Sequence, residues 1–167
     1  MLRTGVLTIS TLGARGARPD SSGALCERLL EQMSHQVVWR LLVPDDQVMI
    51  QDAICQAADE LHLDVLITTG GTGLSPRDLT PEATAAVVER QVPGLAELIR
   101  LKGLEQTSRA ALSRAICGVR GKTLVINLAG SPAAVENGLA AVGPLLAHVA
   151  AIIQDQPTDH SHPEPKG

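Results

Sequence analysis

Val65-Leu66-Ile67-Thr68-Thr69-Gly70-Gly71-Thr72-Gly73 is a short apolar, β-branched run that passes directly into three glycines within four residues. The run reads as a strand buried on both faces. The glycines let the chain bend sharply and bring backbone N–H groups close to an anion, although the same residues also make an ordinary tight turn. No Gly-Lys-Ser/Thr follows, as a P-loop requires, and no Gly-x-Gly-x-x-Gly precedes a helix, as a dinucleotide fold requires.

Around this stretch the same pattern repeats. Val6 to Ile9, Asp64 to Thr69 and Thr123 to Leu128 read as buried strands, with Gln36 to Val43 beside them. Ile50, Ala53, Ile54, Ala57, Ala58 and Leu61 recur at helical spacing. So do Val135, Leu139, Val142, Leu146, Val149 and Ile153, where Gly143-Pro144 is expected to bend or divide the helix. Asp20-Ser21-Ser22, Thr80-Pro81 and Ser131-Pro132 each place a capping oxygen ahead of a first turn. Alternating strands and helices predict an α/β fold, a mainly parallel sheet with helices on both faces and ligands at the carboxyl ends of its strands. Residues 1–154 form the expected domain, and 155–167, polar and Pro-rich, an expected disordered tail.

Composition narrows the function. Fourteen Lys plus Arg against eighteen Asp plus Glu give a net charge of −4, which offers no broad positive field for nucleic acid. Trp39 is the only aromatic residue, so base-stacking platforms are missing too. Cys26, Cys55 and Cys117 suit reduced thiols, and the five histidines show no paired metal-ligand spacing. No run approaches a membrane span, and the N-terminus lacks a signal-type apolar core, so a cytoplasmic protein without a membrane role is expected.

Three constellations carry possible chemistry. Beyond the Gly-rich loop lies Ser75-Pro76-Arg77-Asp78, whose acid would face a bound phosphate only with a divalent cation, ordinarily Mg²⁺, between them. The alternative for Asp78 is a helix-start residue that complements the macrodipole. Leu42-Val43-Pro44-Asp45-Asp46 ends another strand, and one of its acids is expected to cap the next helix while the other faces the site. Ala129-Gly130-Ser131-Pro132 offers amides and a hydroxyl at a third strand end, or simply an N-cap. Ser113-Arg114 either lines the same pocket or forms a surface salt bridge.

Together these residues resemble the MoaB/Mog family of molybdenum-cofactor biosynthesis. The likeness runs from about Val6 to Ile153 and is most specific at Thr68 to Gly73, Arg77-Asp78 and Thr80-Pro81-Glu82-Ala83-Thr84. Weaker matches are Asp20 to Gly23, Val43 to Asp46, Leu112 to Arg114, Gly118 to Lys122 and Gly130 to Pro132. The resemblance implies a three-layer α/β/α domain, usually trimeric, that transfers AMP from Mg-ATP to molybdopterin and releases pyrophosphate. The product would then go to a molybdate-insertion protein. By position it makes Asp45 and Asp78 the catalytic, Mg²⁺-binding pair. Thr69, Gly70, Gly71, Thr72, Gly73, Ser113, Gly130 and Ser131 would contact substrate. The chain departs from the family pattern at Thr11, where an Asp is usual, at Ala129, where a Pro is usual, and at Gly103, where a Ser is usual. Thr11 and Gly103 point to a second reading, a catalytically silent molybdopterin carrier. A nucleotide-sugar or dinucleotide hydrolase has no specific support.

Overall fold

The apolar, β-branched segments form the centre of one six-stranded sheet. The computed structural model describes residues 1–156. Its strands are β1 (Arg3–Ile9), β2 (Gln36–Val43), β3 (Val65–Thr69), β4 (Arg90–Gln91), β5 (Cys117–Arg120) and β6 (Thr123–Leu128). Its helices are α1 (Thr11–Ala14), α2 (Ser21–Gln32), α3 (Gln47–Cys55, continued by a π turn over Gln56–Glu60), α4 (Thr80–Val87), α5 (Pro93–Leu104) and α6 (Pro132–Ile153), with a 3₁₀ turn at Ser108–Leu112. The strand order is β2-β1-β3-β6-β5-β4. The first four strands are parallel, and β5 and β4 add antiparallel.

Successive residues of the central strands feed opposite faces, as the pleat requires. Val6, Val65, Ile67, Leu124 and Ile126 pack under α2, α5 and α6. Leu7, Leu66 and Val125 pack under α3 and α4. This is the expected three-layer α/β/α arrangement. β3 and β6 are buried along their whole length, whereas the edge strand β2 is largely exposed. The predicted α3 stripe is buried from Ile50 to Ala58.

Several local expectations change. Gly143-Pro144 does not divide the last helix: α6 runs unbroken for 22 residues, with Pro144 inside it. Its buried stripe of Val135, Leu139, Val142 and Leu146 supplies tertiary packing that outweighs one lost backbone bond. That continuity also revises the membrane argument, because α6 is long and apolar enough, by length and composition, to cross a membrane. One face of it, with Val135, Leu139, Val142 and Leu146 buried, packs against the apolar core. Thr80 is not a cap but the first residue of α4, and its hydroxyl donates to the Gly70 carbonyl, 2.8 Å away. Asp20 and Ser131 do cap α2 and α6. The sequence reading missed β5, an antiparallel hairpin partner of β6 across Gly121-Lys122. Asp155 and Gln156 follow the end of α6, and the rest of the expected tail lies outside the described residues.

Candidate functional site

From β1 the chain goes outward to β2, then crosses back over β1 to β3, so the direction of winding reverses between β1 and β3. A crevice opens at such a reversal, at the carboxyl ends of the strands. Here it is a cleft of about 1410 Å³. Thr69 to Gly73, Asp45, Asp78, Ser113, Gly130 and Ser131 all line it, so every expected site residue meets in one place.

The Gly-rich loop turns its carbonyls inward. The Gly70 oxygen accepts from the Thr80 hydroxyl and the Gly71 oxygen from the Thr80 amide at 3.1 Å. The Thr72 oxygen accepts from the Arg114 amide at 2.9 Å, and the Gly73 oxygen from Arg114 Nε at 2.8 Å. With the carbonyls occupied, the amides of Gly71, Thr72 and Gly73 find no acceptor among the described residues. Consecutive unpaired amides in a turn make an anion-binding concavity. Gly70 has φ +105°, and a Cβ there would lie 2.2 Å from the Ile9 carbonyl oxygen. Gly130 passes close on the other side, its virtual Cβ 3.1 Å from Gly70 Cα.

A buried polar network supports the loop from below. Asn127, in the middle of apolar β6, donates to the hydroxyls of Thr68 at 2.9 Å and Thr84 at 3.0 Å, and Thr84 donates to the Thr80 carbonyl. Asn127 was not singled out by the sequence reading, although an amide inside a buried strand demands partners and so signals a network. Of the two alternatives foreseen for Ser113-Arg114, Ser113 lines the cleft and Arg114 forms the surface salt bridge without lining it. Arg114 pairs with Glu82 at the surface, and it also holds the Gly73 and Asp78 carbonyls from behind the loop. That pairing holds the Glu82 carboxyl below its ordinary value.

The two acids behind the strand ends are held in similar ways. Asp46 caps α3 through the Met49 amide at 2.9 Å, while Asp45 faces the cleft. Oδ2 of Asp45 accepts from the Thr11 amide at 2.9 Å and the Thr11 hydroxyl at 2.6 Å. Oδ2 of Asp78 accepts from the Ser75 amide at 2.8 Å. No hydrogen bond engages Oδ1 of either acid among the described residues. A third cleft acid, Asp20, accepts from the Thr8 hydroxyl and the Gly23 amide and pairs with Arg40 at 2.9 Å.

Among the described residues no cluster of three or more His, Cys, Asp or Glu side chains could cage a metal. Two carboxylates, each with one free oxygen, suit Mg²⁺, which takes one or two protein carboxylates and completes its shell with water and phosphate oxygens. The loop amides are of the kind that receives a phosphate, and the free carboxylate oxygens of the kind that ligates a hard cation.

Outward-facing loop amides and half-engaged acids at a parallel-sheet crevice define an α/β domain for phosphorylated ligands. Residues 5–148 match the family described as "Probable molybdopterin binding domain", and the chain belongs to that family. It is 36% identical over 154 residues to the molybdopterin adenylyltransferase of Helicobacter pylori strain J99, covering 91% of this chain and 88% of that protein. It is 41% identical over 152 residues to the Drosophila melanogaster molybdenum cofactor synthesis protein cinnamon, where it covers 90% of itself but only 25% of that longer chain. The solved structure of the molybdopterin biosynthesis enzyme MoaB from Thermus thermophilus superposes with a TM-score of 0.88 at 46% identity, covering 94% of this chain and 99% of that one.

The departures at positions 11, 129 and 103 now have physical content. Thr11 anchors Asp45 with its own hydroxyl, and the Asp45 amide donates back to that hydroxyl at 3.1 Å. Position 129 contributes its backbone carbonyl, which accepts from the Thr69 hydroxyl at 3.2 Å and ties the two loops together, an acceptor that a proline there would also present. A Cβ at Gly103 would meet Ala110 Cβ at 2.8 Å, so that wall of the cleft is closed to a side chain at 103 unless Ala110 shifts.

Proposed function

We propose that this chain is a molybdopterin adenylyltransferase of molybdenum-cofactor biosynthesis, using Mg-ATP. The observation that carries the reading is the Gly70 to Gly73 loop, whose carbonyls are all occupied and whose free amides lie in the same cleft as Asp45 and Asp78. An oxygen of the terminal phosphate of molybdopterin attacks the α-phosphorus of ATP. A new P–O bond forms as the bond to the β-phosphate oxygen breaks, and pyrophosphate leaves with that electron pair. Charge spreads over the phosphoryl oxygens during such a displacement, and preorganised amides that need no reorientation stabilise it. Asp45 and Asp78, through their free Oδ1 atoms, would hold Mg²⁺, which supplies neutralisation of the polyphosphate. Gly130, Ser131 and Ser113 line the same cleft and would contact the pterin and nucleotide.

The full reading includes a homotrimer, a cytoplasmic location and hand-over of the product to a molybdate-insertion protein. Apolar side chains exposed along the β2 edge and the start of α3, such as Val38 and Val48, support self-association. Three free cysteines support a reducing compartment. The far greater length of the Drosophila relative supports further steps beyond this domain.

The test mixes protein, molybdopterin, ATP and Mg²⁺ and follows pyrophosphate and adenylyl-molybdopterin by mass, with Asp45→Asn and Asp78→Asn alongside. Wild type is expected to form both products, and each variant to slow by about two orders of magnitude or more. A variant as fast as wild type would remove the role assigned to that acid. Gly103 favours a second reading, because position 103 itself brings no hydroxyl to the cleft. Molybdopterin binding without AMP transfer in wild type would establish the silent carrier instead.

A further inference from the structure

The chain is acidic, yet its cleft is not. Arg15, Arg18, Arg77 and Arg109 line the cleft, and no side-chain hydrogen bond or ion pair engages any of their guanidinium groups among the described residues. By contrast Arg40, Arg114 and Arg120 all have carboxylate partners. Arg40 pairs with Asp20 and Glu27 together, so Asp20 is only partly offset, and four unpaired arginines stand among three cleft acids, Asp20, Asp45 and Asp78. A local excess of positive charge along a concave surface raises the local potential for an anionic ligand whatever the net charge of the chain.

The four come from two separate parts of the chain. Arg15 ends α1, one turn after Thr11, and Arg18 follows in the α1–α2 connection, so both belong to the segment that anchors Asp45. Arg77 adjoins Asp78, and Arg109 sits in the 3₁₀ turn that leads into Ser113-Arg114, the support of the Gly-rich loop. Guanidinium groups present paired donors that match phosphate oxygens. All four are exposed, so without an anion they gain nothing from facing one another.

We propose that Arg15 with Arg18, and Arg77 with Arg109, are two separate phosphate clamps, one beside each acid, for two phosphorylated ligands held at once. This rests on the two-substrate reading above, and it names the residues that tell a phosphorylated pterin and a nucleoside triphosphate from their dephosphorylated forms. Each clamp sets two guanidinium charges against the one carboxylate beside it, so it holds phosphate by itself where a lone acid would need a cation between.

Isothermal titration calorimetry of the full chain with inorganic pyrophosphate in EDTA tests this directly. Wild type is expected to take up two pyrophosphate ions per chain. Arg15→Ala/Arg18→Ala should remove one and Arg77→Ala/Arg109→Ala the other, each remaining ion binding within about twofold of wild type, as separate sites require. Arg28→Ala, which removes an exposed arginine outside the cleft, should change neither. A single ion per chain would overturn the two-clamp proposal, and so would an equal loss in Arg28→Ala, which would reduce the effect to general charge. Circular dichroism of each variant confirms that the fold is intact. The calorimetry uses neither ATP nor molybdopterin. Two bound ions without AMP transfer would therefore sink the adenylyltransferase and keep the clamps, and AMP transfer without pyrophosphate uptake would do the reverse.

Discussion

A Cβ at position 70 would sit 2.2 Å from the Ile9 carbonyl oxygen, on a backbone with φ +105° that L side chains rarely adopt. Gly16 also has positive φ, +72°, but nothing lies within 4 Å of its virtual Cβ. The two positions separate torsional cost from collision. Gly16→Ala should lose about 1 kcal/mol, the ordinary left-handed penalty. Gly70→Ala should lose at least about 2 kcal/mol more, since the end of β1 or the loop must move. Thermal unfolding of both variants measures the difference, and equal losses would show that the β1 end yields freely. The same scale explains Thr11. Its hydroxyl anchors Asp45 at 2.6 Å, where a carboxylate would meet the acid with like charge.

At the scale of elements, the Gly-rich loop belongs to four segments at once: β3 leads into it, α4 begins beneath it, Arg114 after the 3₁₀ turn holds it, and β6 pairs with its base through Gly70 and Leu128. The tie between α4 and Arg114 runs through Glu82, whose carboxyl the guanidinium holds below its ordinary value of 4.5. An acid depressed in the folded state stabilises the fold above its unfolded pKa, and that contribution disappears as pH falls through the folded value. Glu82→Gln should therefore lower the melting temperature slightly at neutral pH, by the equivalent of less than about 1 kcal/mol, because the pair is solvent-exposed. Below pH 4 the wild-type and variant melting curves should converge. A constant gap down to pH 2 would show that the pair contributes through packing and not charge.

Across the whole molecule, stability rests on two aliphatic layers, since the chain has almost no aromatic residues. Leu139 is fully buried where α6 meets the sheet. Leu139→Ala should cost about 2–5 kcal/mol, read as a lower urea midpoint at unchanged slope. A loss under 1 kcal/mol would mean that α6 collapses onto the cavity and is not rigidly packed.

Much of this was legible in one dimension because it depends on periodicity. Gln36 to Val43 is β2, the Ile50 stripe is the buried face of α3, and one acid of the Asp45-Asp46 pair caps while the other turns inward, each following from residue spacing and local chemistry. The strands and the Gly-rich turn place Asp45, Asp78, Gly70 to Gly73 and Ser131 at strand ends, so their meeting at one edge follows from a parallel sheet. What only the tertiary structure decided are relations between distant segments. The order β2-β1-β3-β6 places the crevice between β1 and β3, Arg114 reaches 41 residues back to the Gly73 carbonyl, and Thr80 spends its hydroxyl on Gly70 and not on a cap. Net charge is silent about the cleft, because a sum over the chain is blind to position: Arg40 pairs with Asp20 and Glu27 while Arg15, Arg18, Arg77 and Arg109 have no side-chain partner around one cleft. Local patterns are set by a residue and its neighbours in sequence, whereas fields, clamps and crevices are set by which strangers in sequence the packing makes neighbours.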